Sequence, residues 1–455
     1  MTKDMTSGKP LQLIWQFSIP LVFGNLFQQM YNMVDTIIVG KYLGLSALTS
    51  VGATASITFL IIGFCMGTCS GMGVPVAQFF GAGDYTAMRK YVMNAGYLGI
   101  FIAAVLTVLT CLLCGSILTW MQTPADIYQG AYDYLFIIFL GIPFTILYNV
   151  VSAIIRAMGD SRTPFYFLVL STLLNVVLDL LFIIVFQMGV AGAAWATILA
   201  QAIAGILCFF YMKRKYDILT FTKQEKKLDM SCMKRLAVMS VPMGLQFSIT
   251  AIGSIMLQSA VNILGSVYVS AYTAAVKVNQ LAMCPFDAFA TAASTFGSQN
   301  LGAKQFKRIR QGLFNSVLIA VIYGVAIGIV LVLAGSKIAL LFVDSGETVV
   351  LGYIQQMLNY SGCFFWLLAF LNCFRLTIQG LGYSVIAMFA GCSELAARGV
   401  MSLAVIPVLG FTGVCLTSPL AWLAANCVVI PVFFAIVRRL ERRYTGVGKP
   451  QVRHS

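Results

Sequence analysis

Charged residues are scarce in this sequence, and histidine is nearly absent. Asp, Glu, Lys and Arg together make up 10% of the 455 residues, and the single histidine is His454. This composition excludes an ordinary soluble globular domain, in which about a quarter of the residues are charged. One histidine near the C-terminus also excludes histidine-based catalysis and metal centres built from several histidines.

Nucleotide-binding motifs are absent as well. No Gly-rich loop precedes a Lys-Ser or Lys-Thr pair, the pattern that holds the phosphates of ATP. Twelve cysteines are present, but nearly all lie inside apolar segments, where they pack as small apolar side chains. The sequence therefore predicts no ATP dependence, no resident metal centre and no organic cofactor.

Apolar sequence is what the chain has in excess. Hydrophobic residues account for 60% of it, and the mean hydropathy is +0.90. Twelve apolar segments each approach or exceed the roughly 20 residues that a helix needs to cross a bilayer. They are residues 11–39, 46–76, 92–119, 129–155, 164–187, 190–212, 235–262, 267–296, 312–334, 348–378, 384–406 and 410–437. The sequence predicts an all-α integral membrane protein with twelve transmembrane helices in the lipid bilayer.

The basic residues fall almost entirely on one side of the predicted membrane. With the N-terminus inside, and with Arg235 and Arg375 at the ends of spans counted with the adjoining inside connections, 25 of the 29 Lys and Arg residues lie in inside segments. Only Lys41 and Lys337 lie outside. This bias predicts that both termini are cytoplasmic. It also accounts for the net charge of +14. Because the basic residues are dispersed over separate loops, nucleic acid is not an expected partner.

The sequence repeats itself at an offset of 221 residues. The matched positions are small or polar and include Leu43-Gly44 with Leu264-Gly265, Gln78 with Gln299, Gly81-Ala82 with Gly302-Ala303 and Gly159 with Gly380. We predict an N-terminal six-helix lobe at residues 1–212, a cytoplasmic linker at 213–234, a C-terminal six-helix lobe at 235–437 and a cytoplasmic tail at 438–455. Because six is an even number, the repeats are parallel. Two such bundles around a central cavity are typical of transporters.

Asp35 is an ionisable residue inside the first apolar segment. Gln28, Tyr31 and Asn32 share its helical face at spacings of seven, four and three residues. A polar stripe on an apolar helix is expected to face a cavity or another helix, because exposing it to lipid is costly. Pro20, on the same helix, predicts a kink or a hinge.

A second carboxylate, Asp179, lies one helical turn after Asn175 in the fifth apolar segment. The fourth and sixth segments add further polar side chains: Tyr134, Tyr148, Asn149, Thr197 and Gln201. No Lys or Arg lies inside the spans of this half. Two explanations therefore stay open: a proton or Na⁺ site facing a cavity, or a structural hydrogen-bonded network. The predicted lining of the substrate cavity is Gln28, Tyr31, Asn32, Tyr148, Asn149, Gln201 and Lys277.

Ionisable residues of the C-terminal half are arranged differently. Glu394 precedes Arg398 by four residues, a spacing that predicts a structural ion pair. Lys277 and Asp287 are ten residues apart on the eighth segment, too far for a direct bond within one helix. Lys277 is therefore expected either to line the cavity or to extend its amine toward the membrane surface. The role of Asp287 stays open.

Several motifs, in order along the chain, resemble those of the multidrug and toxic compound extrusion (MATE) family. They are VDTIIVGKYLG after a Pro-bearing first helix, AQFFGAGD, IIRAMGDSRTP, LLNVVLDLLFI, GVAGAAWATILAQ, SQNLGAKQ and LTIQGLG, within a resemblance that spans residues 10–437. The resemblance implies an exporter in the cytoplasmic membrane of a prokaryote. Such an exporter expels amphipathic, often cationic, organic compounds in exchange for H⁺ or Na⁺.

The resemblance also implies which residues bind the coupling ion. Cation-binding residues of the family match Asp35, Asn175, Asp179 and Thr197, and Tyr134 matches more loosely. If the ion is Na⁺, the first four side chains are its expected oxygen ligands. One branch of the family uses acidic residues in the seventh and tenth helices, but those segments of this chain contain no acid. A second-half ion site of that kind is therefore not expected.

Three other functions compete with ion-coupled export, and one of them is a solute importer with the same fold. A flippase for lipid-linked saccharides, of related architecture, would line its cavity with several basic residues to bind pyrophosphate. Apart from Arg235 and Arg375 at the ends of spans, only Lys277 and Arg398 lie inside the predicted spans. An intramembrane enzyme would need a catalytic His, Ser-Lys or metal constellation. None is visible, so the protein is not expected to be an enzyme.

The charge bias predicts that a reporter fused after Ser455 lies in the cytoplasm. A fluorescent protein at this position should therefore mature, whereas a phosphatase that is active only outside the cytoplasm should stay inactive. Measuring both activities in matched fusions tests the topology. The opposite pattern would reverse the assigned orientation.

Overall fold

The computed structural model describes residues 2–344 and 346–445, which form α-helices and no β-strand. Fourteen α-helices follow one another along this part of the chain: α1 (Pro10–Leu43), α2 (Leu45–Gly81), α3 (Tyr85–Trp120), α4 (Ala125–Leu140), α5 (Ile142–Ala157), α6 (Arg162–Leu180), α7 (Gly189–Lys215), α8 (Met230–Leu264), α9 (Ser266–Gly302), α10 (Phe306–Ala339), α11 (Thr348–Gly380), α12 (Ser384–Val400), α13 (Ile406–Leu409) and α14 (Phe411–Thr445). Two π-helical segments, Leu181–Val185 and Met401–Val405, follow α6 and α12.

Nine helical units in the described residues are long and apolar enough to cross a membrane. The number becomes ten when α4 and α5, which meet at 44°, are counted as one bent span. The helices α1 and α9 are long enough, with 34 and 37 residues, but they are not among the helices that are also apolar enough. The all-α membrane fold is confirmed, and the number of twelve transmembrane helices stays a prediction.

The repeat of 221 residues reappears in the helix boundaries. The helices α2 and α9 begin and end at positions that differ by this offset. We use N-half for residues 2–215 and C-half for residues 230–445, and each half has its own large apolar cluster. Because α7 and α8 extend into the predicted linker, the connection between them is residues 216–229. The predicted lobe boundaries otherwise stay a prediction, and the end of the predicted tail lies outside the described residues.

The helices alternate in direction, so their connections gather at two ends. We name the end that carries residues 216–229 the linker face. It also carries the turns at residues 82–84, 158–161, 303–305 and 381–383. The opposite face carries the remaining turns, at residues 44, 121–124, 186–188, 265, 340–344, 346–347 and 410.

The two halves contact each other from the middle of the bundle to the linker face. On α2, a Cβ at Gly67 would lie 2.6 Å from the carbonyl oxygen of Met243, and one at Gly71 would lie 2.4 Å from the α8 backbone. These glycines let the two helices approach to backbone contact. Toward the opposite face the same helices expose large side chains, since Leu45 is 79% and Ile263 is 86% exposed. The backbone contacts between α2 and α8 therefore lie away from the opposite face.

Pro20 lies inside α1, which continues through it without a break. Its repeat counterpart, Pro242, lies inside α8. Each proline lacks the N–H that would bond the carbonyl one turn earlier, so each helix has a local weak point. The role of Pro20 as a hinge stays a prediction.

Asp160 fastens the turn between α5 and α6 to the end of α7. Its carboxylate accepts hydrogen bonds from the Arg162 and Thr163 amides at 2.9 and 3.1 Å. It also accepts one from the Tyr216 hydroxyl at 2.7 Å. Burial raises the pKa of Asp160, but the hydrogen bonds outweigh burial and hold the pKa below its ordinary value.

Replacing Asp160 by Ala should destabilise the protein by about 1–3 kcal/mol, because buried donors lose their acceptor. Thermal unfolding in detergent measures the change, with Asp217→Ala at an exposed position as the matched control. Because the folded-state pKa is lowered, the contribution of Asp160 is present above its unfolded pKa, near about 4, and is lost as the pH falls through the folded value. A melting temperature equal to that of the control at neutral pH would contradict this role.

Candidate functional site

Two carboxylic acids of the N-half meet between α1 and α6. Asp35 lies in the part of α1 nearer the opposite face, and Asp179 lies near the end of α6, where it is fully buried. Their carboxyl groups are within hydrogen-bond range of each other. Two ionised carboxylates would repel at that range, so the contact is attractive only when the pair holds a proton or another cation. One oxygen of each group is buried without a hydrogen-bond partner among the described residues.

Neutral polar side chains surround the carboxyl pair. The Tyr31 hydroxyl lies 3.1 Å from Thr197 Oγ1, which in turn donates to the carbonyl of Ala193 at 3.1 Å. The Asn175 amide is fully satisfied when its nitrogen donates to Asp179 Oδ2 at 3.2 Å and to the Tyr31 hydroxyl at 3.0 Å. Its oxygen then accepts from the Thr197 amide at 3.0 Å. The result is a directional chain of donors that ends on Asp179.

Tyr134 and a change of helix type complete this region. Tyr134 packs against an apolar cluster that contains Ile38 and Ala193, and it is close enough to both carboxyl groups to interact electrostatically. One residue after Asp179, α6 passes into the π-helical segment Leu181–Val185, a feature frequent at functional sites. All five side chains predicted for the ion site therefore converge. Their role as ion ligands stays a prediction.

Three of the residues predicted to line the substrate cavity lie on α1 near Asp35. Gln28 is half-buried and Asn32 is exposed. Tyr31 is half-buried and belongs to the donor chain around Asn175. Tyr31 thus connects the exposed face of α1 with the carboxyl pair.

The other N-half cavity candidates make hydrogen bonds within the N-half. Tyr148 donates from its hydroxyl to the carbonyl of Pro164 at 3.0 Å, and Asn149 donates to the carbonyl of Thr145 at 2.8 Å. The Thr145 hydroxyl donates to Gln201 Oε1 at 2.5 Å. These bonds fasten α5 to α6 and α7. A contribution of these three candidates to substrate binding stays a prediction.

A chain of polar contacts crosses the C-half. Asn372 donates to Asp287 Oδ1 at 3.0 Å and accepts from Arg375 at 2.8 Å. Glu394 forms ion pairs with Arg375 at 3.3 Å and with Arg398 at 2.8 Å. Because these three charged side chains are largely buried, removing one would leave another uncompensated.

Arg375 lies inside the C-half, although the topology derived from sequence assigns it to an inside connection. The structure places it within α11, five residues before the helix ends, and pairs it with Glu394 on α12. One sequence feature indicates this position: Asn372 and Arg375 are three residues apart and so share a helix face. The acidic partner is not evident from sequence, because it lies on a different helix.

Lys277 is exposed on α9 and lines a cavity of about 600 Å³ near the opposite face. Phe342, Asp344 and Glu347 line the same cavity. The Lys277 amine lies 6.0 Å from the centroid of the Phe342 ring, at the outer limit of a cation–π contact. Its cavity is formed by the C-half, apart from the N-half carboxyl pair. Entry of substrate into this cavity stays a prediction.

Three comparisons place these features among known proteins. A family model described as MatE matches residues 20–181 and 242–398. The probable multidrug resistance protein YpnP of Bacillus subtilis (strain 168) is 29% identical over 374 residues, 80% of each chain. YoeA, a probable multidrug resistance protein of the same organism, is 27% identical over 366 residues, 78% of this chain and 79% of the relative. A solved outward-facing multidrug resistance MATE family transporter of the MOP superfamily has a TM-score of 0.89, covers 96% of this chain and 98% of that chain, and is 22% identical.

Replacing Glu394 by Gln should lower the amount of folded protein more than it changes ion dependence. The change leaves Arg375 and Arg398 without their shared carboxylate, and breaking such buried pairs costs about 3 kcal/mol or more. Abundance in membranes and thermal unfolding in detergent measure the effect, with the exposed Glu347→Gln as the control. An abundant Glu394→Gln protein that has lost only its ion dependence would instead make Glu394 a coupling residue.

Proposed function

Since the chain belongs to the MatE family of multidrug efflux transporters, we propose that it exports amphipathic, cationic organic compounds in exchange for H⁺. Members of this family are transporters and not enzymes, and the chain is a multi-pass membrane protein. The proposal assigns the coupling to Asp35 and Asp179. The observation that carries it is the contact between their two carboxyl groups, which is attractive only when a cation or a proton is present.

The orientation in which the Asn175 amide is fully hydrogen-bonded favours H⁺ over Na⁺. In the reverse orientation Asn175 donates to Thr197 Oγ1 at 3.4 Å and its oxygen faces Asp179, as a Na⁺ ligand would. A bound Na⁺ requires oxygen atoms that point their lone pairs at the ion. In the satisfied arrangement Asn175 presents its N–H₂ group to Asp179 and to Tyr31, and turns its oxygen toward the Thr197 amide. Such donors suit a carboxylate that gains and loses a proton. The alternative ion is Na⁺, coordinated by the oxygens of Asp35, Asn175, Asp179 and Thr197. Efflux driven by a Na⁺ gradient tests it.

Protonation supplies the coupling step. When the pair is ionised, its negative charge attracts a cationic compound, and burial makes that charge costly to leave without a partner. A proton that arrives from outside neutralises the pair and weakens its hold on the compound. The compound then leaves outward, and the proton leaves inward after the halves change their relative position.

The number of protons that enter for each exported cation determines whether the membrane potential, in addition to the pH difference, drives export. If one proton enters as one monovalent cation leaves, no net charge crosses the membrane, and only the pH difference drives export. If two protons enter, each 100 mV of membrane potential adds about 2.3 kcal/mol. The two carboxyl groups of Asp35 and Asp179 are compatible with either number.

The direction of export follows from the proposed orientation. The Lys and Arg bias assigns the linker face to the cytoplasm. The halves are then joined on the cytoplasmic side, as expected of the state that releases the compound outward and takes up a proton. In this orientation the protein lies in the cytoplasmic membrane of a prokaryote with both termini inside.

Asp35→Asn and Asp179→Asn should each yield normal amounts of folded protein that binds a cationic dye but no longer exports it. Each change removes a protonatable group while keeping its size, so gradient-driven efflux should fall to the passive leak. Purified protein in liposomes, driven separately by a pH gradient and by a Na⁺ gradient, measures this efflux.

Control variants distinguish H⁺ from Na⁺ coupling, and a specific role of the carboxyl pair from a general effect of an Asp→Asn change. Asp126→Asn makes the same chemical change at an exposed position and should leave efflux unchanged. Asn175→Ala and Thr197→Ala should reduce coupling strongly only if the ion is Na⁺, because a metal ion needs neutral oxygens to replace its water. Full efflux in the Asp35→Asn, Asp179→Asn double variant would refute the mechanism.

A further inference from the structure

The ends of α2 and α9 touch at the linker face through two glycines related by the repeat. A Cβ at Gly81 would lie 2.0 Å from the carbonyl oxygen of Gln299, and one at Gly302 would lie 1.8 Å from the carbonyl oxygen of Gln78. Real Cβ atoms do not approach other atoms this closely, so only glycine permits the contact. Each half contributes one glycine and one glutamine to it.

Each of the two glutamine side chains donates a hydrogen bond to the half to which it does not belong. Gln78 Nε2 donates to the carbonyl of Gly380, the last residue of α11, at 3.0 Å. Gln299 Nε2 donates to the carbonyl of Ala157, the last residue of α5, at 2.9 Å. Carbonyls in the last turn of a helix have no partner within the helix, so they are available to such donors.

Both glutamine amides are also used as acceptors. Gln78 Oε1 accepts from Arg235 of the C-half at 3.1 Å, and Gln299 Oε1 accepts from the backbone amide of Met5 at 2.9 Å. Gln299 is fully buried and Gln78 nearly so. Separating the halves at this face would break these bonds and leave buried polar groups without partners.

The segment before α1 fastens the same face. The Lys3 amide donates to the carbonyl of Met158 in the N-half at 3.0 Å. On the C-half side, Arg308 donates to the carbonyl of Met5 at 3.0 Å and to that of Gly8 at 2.9 Å. Met5 is fully buried and packs with an apolar cluster that contains Phe296. Residues 3–8 therefore bridge the two halves.

We propose that Gln78 and Gln299 take part in transport as a two-fold latch that, together with residues 3–8, holds the linker face closed. Transport requires each face to open in turn. The hydrogen bonds that join the halves in the described residues lie between the linker face and the Ser248–Leu60 contact in mid-bundle. Opening the linker face must therefore break the latch. The inference rests on the proposed function only in requiring that this face opens.

The first test removes the latch and measures the conformation. Spin labels carried by unnatural amino acids replace Thr86 and Lys307, exposed repeat counterparts at the linker face, or Leu45 and Ser266 at the opposite face. With Gln78→Ala and Gln299→Ala, the population with an open linker face should rise about threefold for each single change and about tenfold for both. The distance at the opposite face should shorten in the same molecules.

A half-buried glutamine controls for the loss of a hydrogen-bonded amide. Gln355 bonds only within the C-half, accepting from the Ser336 amide at 2.6 Å and donating to the carbonyl of Leu331 at 3.1 Å. Gln355→Ala should lower stability and leave both distance distributions unchanged. An equal shift in Gln355→Ala would show that the effect is not specific to the latch and would overturn the proposal.

A second variant acts by steric contact and keeps the test valid if the glutamine variants fail to fold. Gly302→Ala places a Cβ against the Gln78 carbonyl and should also favour the open linker face. Gly96→Ala is its control, because a Cβ there meets no atom within 4 Å. The proposal is overturned if folded Gly302→Ala and the double glutamine variant both keep the unmodified Thr86–Lys307 distances. These measurements need no ion gradient, so they stand or fall separately from coupling by Asp35 and Asp179.

Discussion

Backbone contact between α2 and the C-half is the constraint on which the rest of the structure depends. In a bilayer, helices gain little from moving apolar surface away from lipid, so their association relies on close packing and hydrogen bonds. Glycines at positions 67 and 71 bring α2 against α8, and the contacts at Gly81 and Gly302 bring it against α9. Hydrogen bonds join the halves from the linker face to mid-bundle. The carboxyl pair of α1 and α6 lies beyond these hydrogen bonds, toward the opposite face.

The duplicated halves have the same helices but different charges. In the N-half, Asp35 and Asp179 face each other with only neutral donors around them. In the C-half, Glu394 is held between two arginines. Glu394 is therefore matched by fixed positive charges, whereas Asp35 and Asp179 have no ion-pair partner among the described residues. This difference supports placing ion coupling in the N-half and a structural role in the C-half.

Much of the candidate site was predictable because its members are neighbours in sequence or on one helix face. The spacing of four residues aligns Asn175 with Asp179, and the same spacing aligns Tyr31 with Asp35. Spacing did not predict which side chains on other helices these two pairs contact. Tyr31 was assigned to a substrate cavity, yet it bonds with Asn175 and Thr197, which lie on two other helices. Helix rotation decides such contacts, and periodicity fixes a polar face without fixing what it meets.

The sequence by itself determined the membrane class, the helical repeat and the polar faces, because these follow from local composition and spacing. Only the tertiary structure decided that Arg375 binds Glu394, that Gln78 and Gln299 reach into opposite halves, and that residues 3–8 bridge them. These contacts join segments far apart in the chain. Their geometry depends on where helices cross and which carbonyls are left free at helix ends, and that is set only when the whole bundle packs.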